Sequence, residues 1–534
     1  MSINALPSLH GSASPPFADA RAARDWLKLL PLINTLQAQG ELLSAIAELN
    51  NSHIDALESL RIIEQLRESV HQVQDSLLGD YADTSLPLAG KALSAWQKAQ
   101  ALWQAVEQGY ARCWRAALEG DGTVAEYATL LAERTLYYGR MRARGELLVY
   151  RPVSAQIWQQ LYAYHALALQ AGVALRKAKD SLIELGGSST PQAMFAHVLL
   201  LAAARTNRLN TKQLLWLDAR LEFFAQRTTL APDAEGIPNR LPLTIIPARP
   251  GAPVRGAQSL VGPEFLNLET RTLGQSLSKR IKLLREGEAP QNLGLGSEMA
   301  AKSAELLLAQ AYRLWCEAPT GDIPAVVSHP PLKTVVAGFA DLHQDVAGGK
   351  FRNFQENAPQ MAGRDMLDLQ LFGRTVSRQA GNVKPPVRRE DWPVLQESAQ
   401  GLWLLRPADS GGRIELKTLL LLHGDGQKVL GVVRALNEIE QGVMVLIQLL
   451  PGQPYPAEVR ARDGGRFGQN EFTPALILPP VPALRSAVSL IVPQGWYRQA
   501  RMLEMWDGEN LLKLRLEQLI ERGVDFDRVQ FGMV

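Results

Sequence analysis

Two cysteines in 534 residues, Cys113 and Cys316, are too few for a disulfide framework. Each falls inside an apolar helical pattern, so both are expected to be buried reduced thiols of a reducing compartment. No apolar run approaches the ~20 residues of a membrane span. The longest lies near "FAHVLLLAAA", Phe195–Ala204. The N-terminus, "MSINALPSLHGSASPPF", lacks both the basic start and the apolar stretch of a secretory signal. The protein is therefore expected to be cytoplasmic, with no membrane span. The eight histidines are scattered and join no cysteine cluster, which argues against zinc. His165, in "YAYHALALQ", is expected to be a partly buried helical residue and not a base. G-x-x-x-x-G-K-[ST], G-x-S-x-G and H-E-x-x-H are all missing. The expectation is a protein that is not an enzyme and holds no metal or cofactor. Net charge is only +2, which removes any global electrostatic case for DNA or an anionic membrane. An anion site, if present, must be local.

What is present divides by texture. A chain of this length exceeds the ~250–300 residues of a single core, so several domains are expected. Residues 1–18 read as a flexible tail. Residues 19–231 read as six to eight helices forming a bundle or array. "DALESLRIIEQLRESVHQVQDSLL" sets Leu57, Leu60, Ile63 (or Ile62), Leu66, Val70 and Val73 at three- and four-residue steps on one face. Thr190 before Pro191, and Asn210, are expected helix caps. Residues 232–345 read as a mixed α/β region, with helices near Thr270–Arg285 and Glu298–Cys316. In it, "GLGSE" (Gly294–Glu298) offers backbone N–H groups to a phosphate. Ser297 as the cap of the next helix is the better fit. Residues 346–373 read as a loop or linker. From 374 to 534 short β-branched or Leu-rich runs alternate with turns such as "DSGG" and "HGDG", which predicts a β-barrel or sandwich. The fold class is thus multidomain α+β: an all-α N-terminal array, a mixed middle and a β-rich C-terminal part.

One stretch is suited to a local anion. "GRTVSRQAGN" carries Arg374 and Arg378 four residues apart. From Arg374 to Arg389 the chain holds Arg374, Arg378, Lys384, Arg388 and Arg389, and no acid. Arginine forks onto phosphate and onto the O6/N7 edge of guanine, and stacks on planar rings. Twenty residues beyond Arg378, "QESAQG" supplies Gln396, Ser398 and Gly401.

These residues resemble the signature of PilZ domains, R-x-x-x-R followed after about twenty residues by [D/N]-x-S-x-x-G. Gln396 stands where the family has Asp or Asn. "VLGVVRALNEIEQGVMVLIQLLPG" is similar to the family's barrel-closing strand pair. The resemblance covers about residues 370–460 and implies an antiparallel β-barrel that binds cyclic di-GMP. It implies ligand contacts from Arg374, Arg378, Gln396, Ser398 and Gly401, with Arg388 and Arg389 as further positive charge. The implied function is a cyclic di-GMP receptor or adaptor signalling through its helical part to an unknown protein partner. The alternative, favoured by Gln396, is a PilZ-like scaffold that has lost the nucleotide. Local RNA or DNA binding ranks last, since no aromatics interleave the basic run before Trp392.

Overall fold

The computed structural model describes residues 3–7, 11–182, 187–231, 243–255, 264–317, 325–326, 330–348, 351, 353–354, 386–398, 401–424, 426–461 and 472–534. They form two units, Met1–Gly321 and Asp322–Val534.

The first unit opens with helices α1 (Ala20–Leu27), α2 (Thr35–Asn50), α3 (Ala56–Leu77), α4 (Gly90–Leu118), α5 (Gly122–Ala125), α6 (Ala128–Leu148) and α7 (Ala155–Gln170). A short ribbon, β1 (Ala178–Lys179) with β2 (Ser188–Ser189), leads into α8 (Pro191–Ala203) and α9 (Thr211–Phe224). That is nine helices among the described residues before position 230, against six to eight expected. The single turn α5 is too short to leave a periodic signal. The local rules work well here. In α3 the expected stripe is buried at Leu60, Ile63, Leu66, Val70 and Val73, while Leu57 is half-buried, and Asp55 caps the helix by accepting from the Glu58 amide at 2.9 Å. Thr190 accepts from Ala193 N at 3.1 Å with Pro191 at the first helical position. Asn210 and Gln213 form a reciprocal capping box. Cys113 and Cys316 are both buried, and neither forms a disulfide.

Two expectations need correction. Within residues 1–18, read as a flexible tail, Leu6 and Phe17 are buried and Arg115 donates to the Leu6 carbonyl at 2.9 Å. Isolated apolar residues in a polar stretch have no period to read. Ser297 does not cap the later helix. That helix begins at Ala301, with Ala300 at the cap position and no side-chain cap bond.

Helix α6 was not legible. It is buried nearly all round and packs against α4, α7 and α8, although it carries Glu133, Arg134, Arg140 and Arg142. Charges removed from water must be paired. Arg134 reaches Glu133 at 2.6 Å and Asp180 at 2.8 Å, and Arg142 reaches Glu107 at 2.7 Å.

His165 on α7 is 3% exposed and stacks on Phe195, ring centroids 4.5 Å apart. Burial pushes its pKa down to about 4. Between that value and the ordinary ~6.5 of the unfolded chain, the unfolded state binds more protons. Stability from this group is therefore complete above pH ~6.5 and is lost as pH falls towards 4. His165→Phe lacks the linkage. Its stability relative to wild type is expected to rise by on the order of 2–3 kcal/mol between pH 7 and 4, read by urea unfolding at each pH. A difference that does not change with pH would refute the assignment.

The first unit ends with a three-stranded sheet, β3 (Thr229–Ala231), β4 (Leu243–Ile245) and β5 (Leu266–Glu269), in the order β3-β5-β4. Two packed helices follow, α10 (Arg271–Arg285) and α11 (Ala301–Cys316).

Among the described residues the second unit is antiparallel β structure with one α-helix. Its strands are β6 (Ala325–Val326), β7 (Leu332–Ala337), β8 (Arg389–Ser398), β9 (Gly401–Pro407), β10 (Leu419–Gly424), β11 (Gln427–Ile439) and β12 (Gly442–Leu449), with α12 (Phe339–Ala347) after β7. The sheet runs β6-β8-β7-β10-β11-β12-β9, and β8 also pairs with β9. The six strands from β8 round to β9 therefore return on themselves as a barrel, with β6 added at β8. A second, closed barrel follows from β13 (Tyr455–Ala461), β14 (Thr473–Leu478), β15 (Ser489–Pro493), β16 (Met502–Trp506), β17 (Leu511–Arg522) and β18 (Phe526–Met533), in the order β13-β14-β15-β18-β17-β16. Its interior holds Val459, Leu490, Leu503, Leu514 and Val529. One apolar cluster joins Leu419, Leu421 and Leu430 of the first barrel, Leu342 of α12, and Leu476, Ile491 and Phe526 of the second.

Candidate ligand site on the first barrel

Strands β8 and β9 form a tight hairpin whose last pair is Ser398 opposite Gly401. Ser398 Oγ donates to the Gly401 carbonyl at 3.2 Å. Gly401 has φ +142, and a Cβ there would sit 2.2 Å from the Ile447 carbonyl oxygen of β12. Only glycine lets β9 approach β12 this closely. The sequence motif thus has a backbone reason at its final position.

Along β9 burial alternates. Leu402, Leu404 and Arg406 turn inward, while Gly401, Trp403 and Leu405 are half-buried on the outer face. The pairing is Ser398↔Gly401 and Gln396↔Trp403, so Gln396, Ser398, Gly401 and Trp403 share that face. A register shift between Val394 and Gln396 makes Leu395 the extra residue of a β-bulge. Bulges re-aim the side chains beside them.

Arg388 and Arg389 lie at the other end of β8. Nine residues of strand separate Arg389 from Ser398, a span of about 30 Å. Both arginines are engaged there. Arg389 Nε donates to Asp345 Oδ2 at 2.8 Å. Asp345 is buried on α12 and also meets Lys428 at 2.9 Å and His423 at 3.1 Å. Burial alone would raise its pKa, but the bonds from Lys428 and Arg389 outweigh this and hold the carboxyl below its usual range. Arg388 Nε lies 3.4 Å from Glu390 Oε1. Glu390 in turn accepts from Trp392 Nε1 at 3.0 Å and Arg406 Nε at 3.2 Å. The structure therefore gathers Gln396, Ser398 and Gly401 at one end and sets Arg388 and Arg389 apart from them. Arg374 and Arg378 lie outside the described residues, as does Lys384. Sequence reasoning passed over Trp403. Its only local signal is an aromatic two positions after the motif glycine, which a strand pattern absorbs as packing.

No three or more His, Cys, Asp or Glu side chains among the described residues are grouped to hold a metal ion. No helix among them is long and apolar enough to cross a membrane.

Comparison with known families gives two matches. Residues 21–234 match the model described as cyclic-di-GMP receptor FimW, N-terminal domain. Residues 459–534 match the model of the FimW C-terminal beta-barrel domain. Together these span more than half of the chain. The first match covers the helical array, and the second covers most of the second barrel. The first barrel, with the hairpin described above, lies between the two matched segments. No curated protein matches the chain.

Proposed function

We propose, from the premise that this chain belongs to the FimW cyclic-di-GMP receptor family, that the messenger is held on the outer face of the first barrel. That barrel is PilZ-like in this reading. Arg374 and Arg378 grip guanine and phosphate, and the β8–β9 hairpin presents Gln396, Ser398 and the close-approach glycine Gly401. The observation that carries the reading is the hairpin itself. Motif positions 396, 398 and 401 converge on one outward face, with a backbone requirement for glycine at the last. Chain length supports it. Eight residues join Arg378 to Pro386, a reach of at most ~29 Å, comparable with the length of β8. Arg388 and Arg389, already paired with acids, supply background charge only. Nucleotide binding is proposed to bias the protein between two states, and the helical unit is the output surface towards a protein partner. The function is that of a non-enzymatic receptor in the cytoplasm.

Calorimetric titration of the full chain with cyclic di-GMP tests this. Saturable binding is expected. Its absence at ~100 μM, which corresponds to only about −5.5 kcal/mol, would remove the receptor reading for this site. The scaffold reading, favoured by Gln396 at a position where PilZ domains carry Asp or Asn, would then take its place. Two variants grade the site. Ser398→Ala removes a neutral hydrogen bond and should cost about 0.5–1.5 kcal/mol of binding. Gln396→Asp shortens the side chain by one methylene and restores the motif, so it should tighten binding. Looser binding by Gln396→Asp would mean that the glutamine is itself the adapted residue.

A further inference from the structure

The protein has eleven tryptophans. Ten of them have a ring partner, a cationic partner or an indole hydrogen bond. Trp403 has none among the described residues. It is half-buried on the outer face of β9, two residues from Gly401. A ring of this size usually finds a partner for its face and for its N–H. Directly across the strand pair stands Gln396, whose amide likewise has no hydrogen bond among the described residues. Opposed residues of an antiparallel pair carry their Cβ atoms about 4.5–5.5 Å apart. The bulge at Leu395 is what brings Gln396, and not its neighbour, into register with Trp403.

We infer that Trp403 is a stacking platform for a guanine base of cyclic di-GMP and that Gln396 reads that base's edge. The inference deepens the function proposed above and rests on it. The Trp403 indole, the Gln396 amide and the Ser398 hydroxyl share one face of the hairpin, an aromatic ring bordered by hydrogen-bonding groups. That is the chemistry a planar base with a mixed hydrogen-bonding edge requires. The amide can donate to guanine O6 while its oxygen accepts from a ring N–H. Stacking contributes to affinity whichever base is present, because every base has a π-face. Gln396 therefore supplies orientation, and Trp403 supplies most of the contact. This also gives the departure from Asp or Asn a role. A longer amide, working beside an aromatic, stands where PilZ domains carry a short carboxylate or amide.

The test is titration of the full-length protein with cyclic di-GMP, followed by calorimetry and by tryptophan fluorescence. Trp403→Ala should weaken binding by roughly 5- to 100-fold, the range for loss of one base–aromatic stack. Trp403→Phe keeps a ring and should bind within about threefold of wild type. Ligand should quench wild-type fluorescence, and the quench should be missing from Trp403→Phe although that variant still binds. Thermal melts of both variants identify any that have unfolded, and the phenylalanine variant then carries the test. Equal affinity of wild type and Trp403→Ala, or a quench that persists in Trp403→Phe, overturns the stacking role and leaves the receptor reading standing. Failure of the wild-type protein to bind overturns both.

Discussion

Replacing Arg374 or Arg378 by alanine is expected to weaken cyclic di-GMP binding by roughly 10- to 100-fold. In the function proposed above each arginine makes a charge-assisted contact with phosphate or guanine, and losing one such contact costs on the order of 1.5–3 kcal/mol. Both arginines belong to a stretch with no acid between Arg374 and Arg389. The contrast lies fifteen residues on. Arg389 is bonded to the buried Asp345. Its alanine variant should leave the ligand's affinity nearly unchanged and lower the stability of the first barrel instead, since Asp345 loses one of its cations. Calorimetric titration and thermal melting, run on all three variants, separate the two behaviours. If Arg374→Ala and Arg378→Ala bind as wild type does, the four-residue arginine pair is a solvated basic run and the ligand lies elsewhere.

The second large effect belongs to the helical unit. Asp180→Ala is expected to destabilise it by about 3–5 kcal/mol. Asp180 is 1% exposed and holds two guanidinium groups from different helices. Arg67 of α3 reaches both carboxylate oxygens, at 3.1 and 3.0 Å, and Arg134 of α6 reaches one at 2.8 Å. The Leu182 amide donates to it at 2.9 Å. Removing the acid takes from Arg67 and Arg134 the buried carboxylate they share and leaves Glu64 and Glu133 as their remaining partners, and breaking a buried charge network by removing one member is among the costliest single changes. Asp180→Asn keeps the shape and loses the charge, so it should fall between. The pH dependence follows from the same contacts. Burial alone would raise the Asp180 pKa, but Arg67 and Arg134 outweigh it and hold the carboxyl below its ordinary value. Its contribution is therefore complete above the unfolded carboxylate pKa of ~3.9 and is lost as pH falls through the lower folded value. Urea unfolding followed by far-ultraviolet circular dichroism reads the loss. A change under 1 kcal/mol for Asp180→Ala would show that this network does not hold the helices together.

The stripe on α3, the caps at Thr190 and Asn210, and the strand runs from Gly401 onward were legible because each is set within a few residues. Side-chain spacing, a short hydroxyl or carboxylate at a helix start, and turn chemistry act locally, and a window of sequence contains all of their terms. The arginine pair and the Ser398–Gly401 motif were legible for the same reason. The charge buried on α6 was not. Arg134 of α6 finds Asp180 46 positions away, and Arg67 of α3 reaches the same acid across 113; nothing near these residues says that water will be excluded there. Nor did the strand runs reveal two barrels. Whether strands close is decided by hydrogen bonds between distant segments, β8 with β9 in one case and β13 with β16 in the other. Gly401 shows both kinds of determination in one residue. Its place in a motif was readable from the sequence, but its necessity comes from the Ile447 carbonyl on a strand that only the closed barrel brings near. Trp403 lies wholly on the second side. Local sequence makes it a strand residue, and the register across β8 and β9 sets it opposite Gln396.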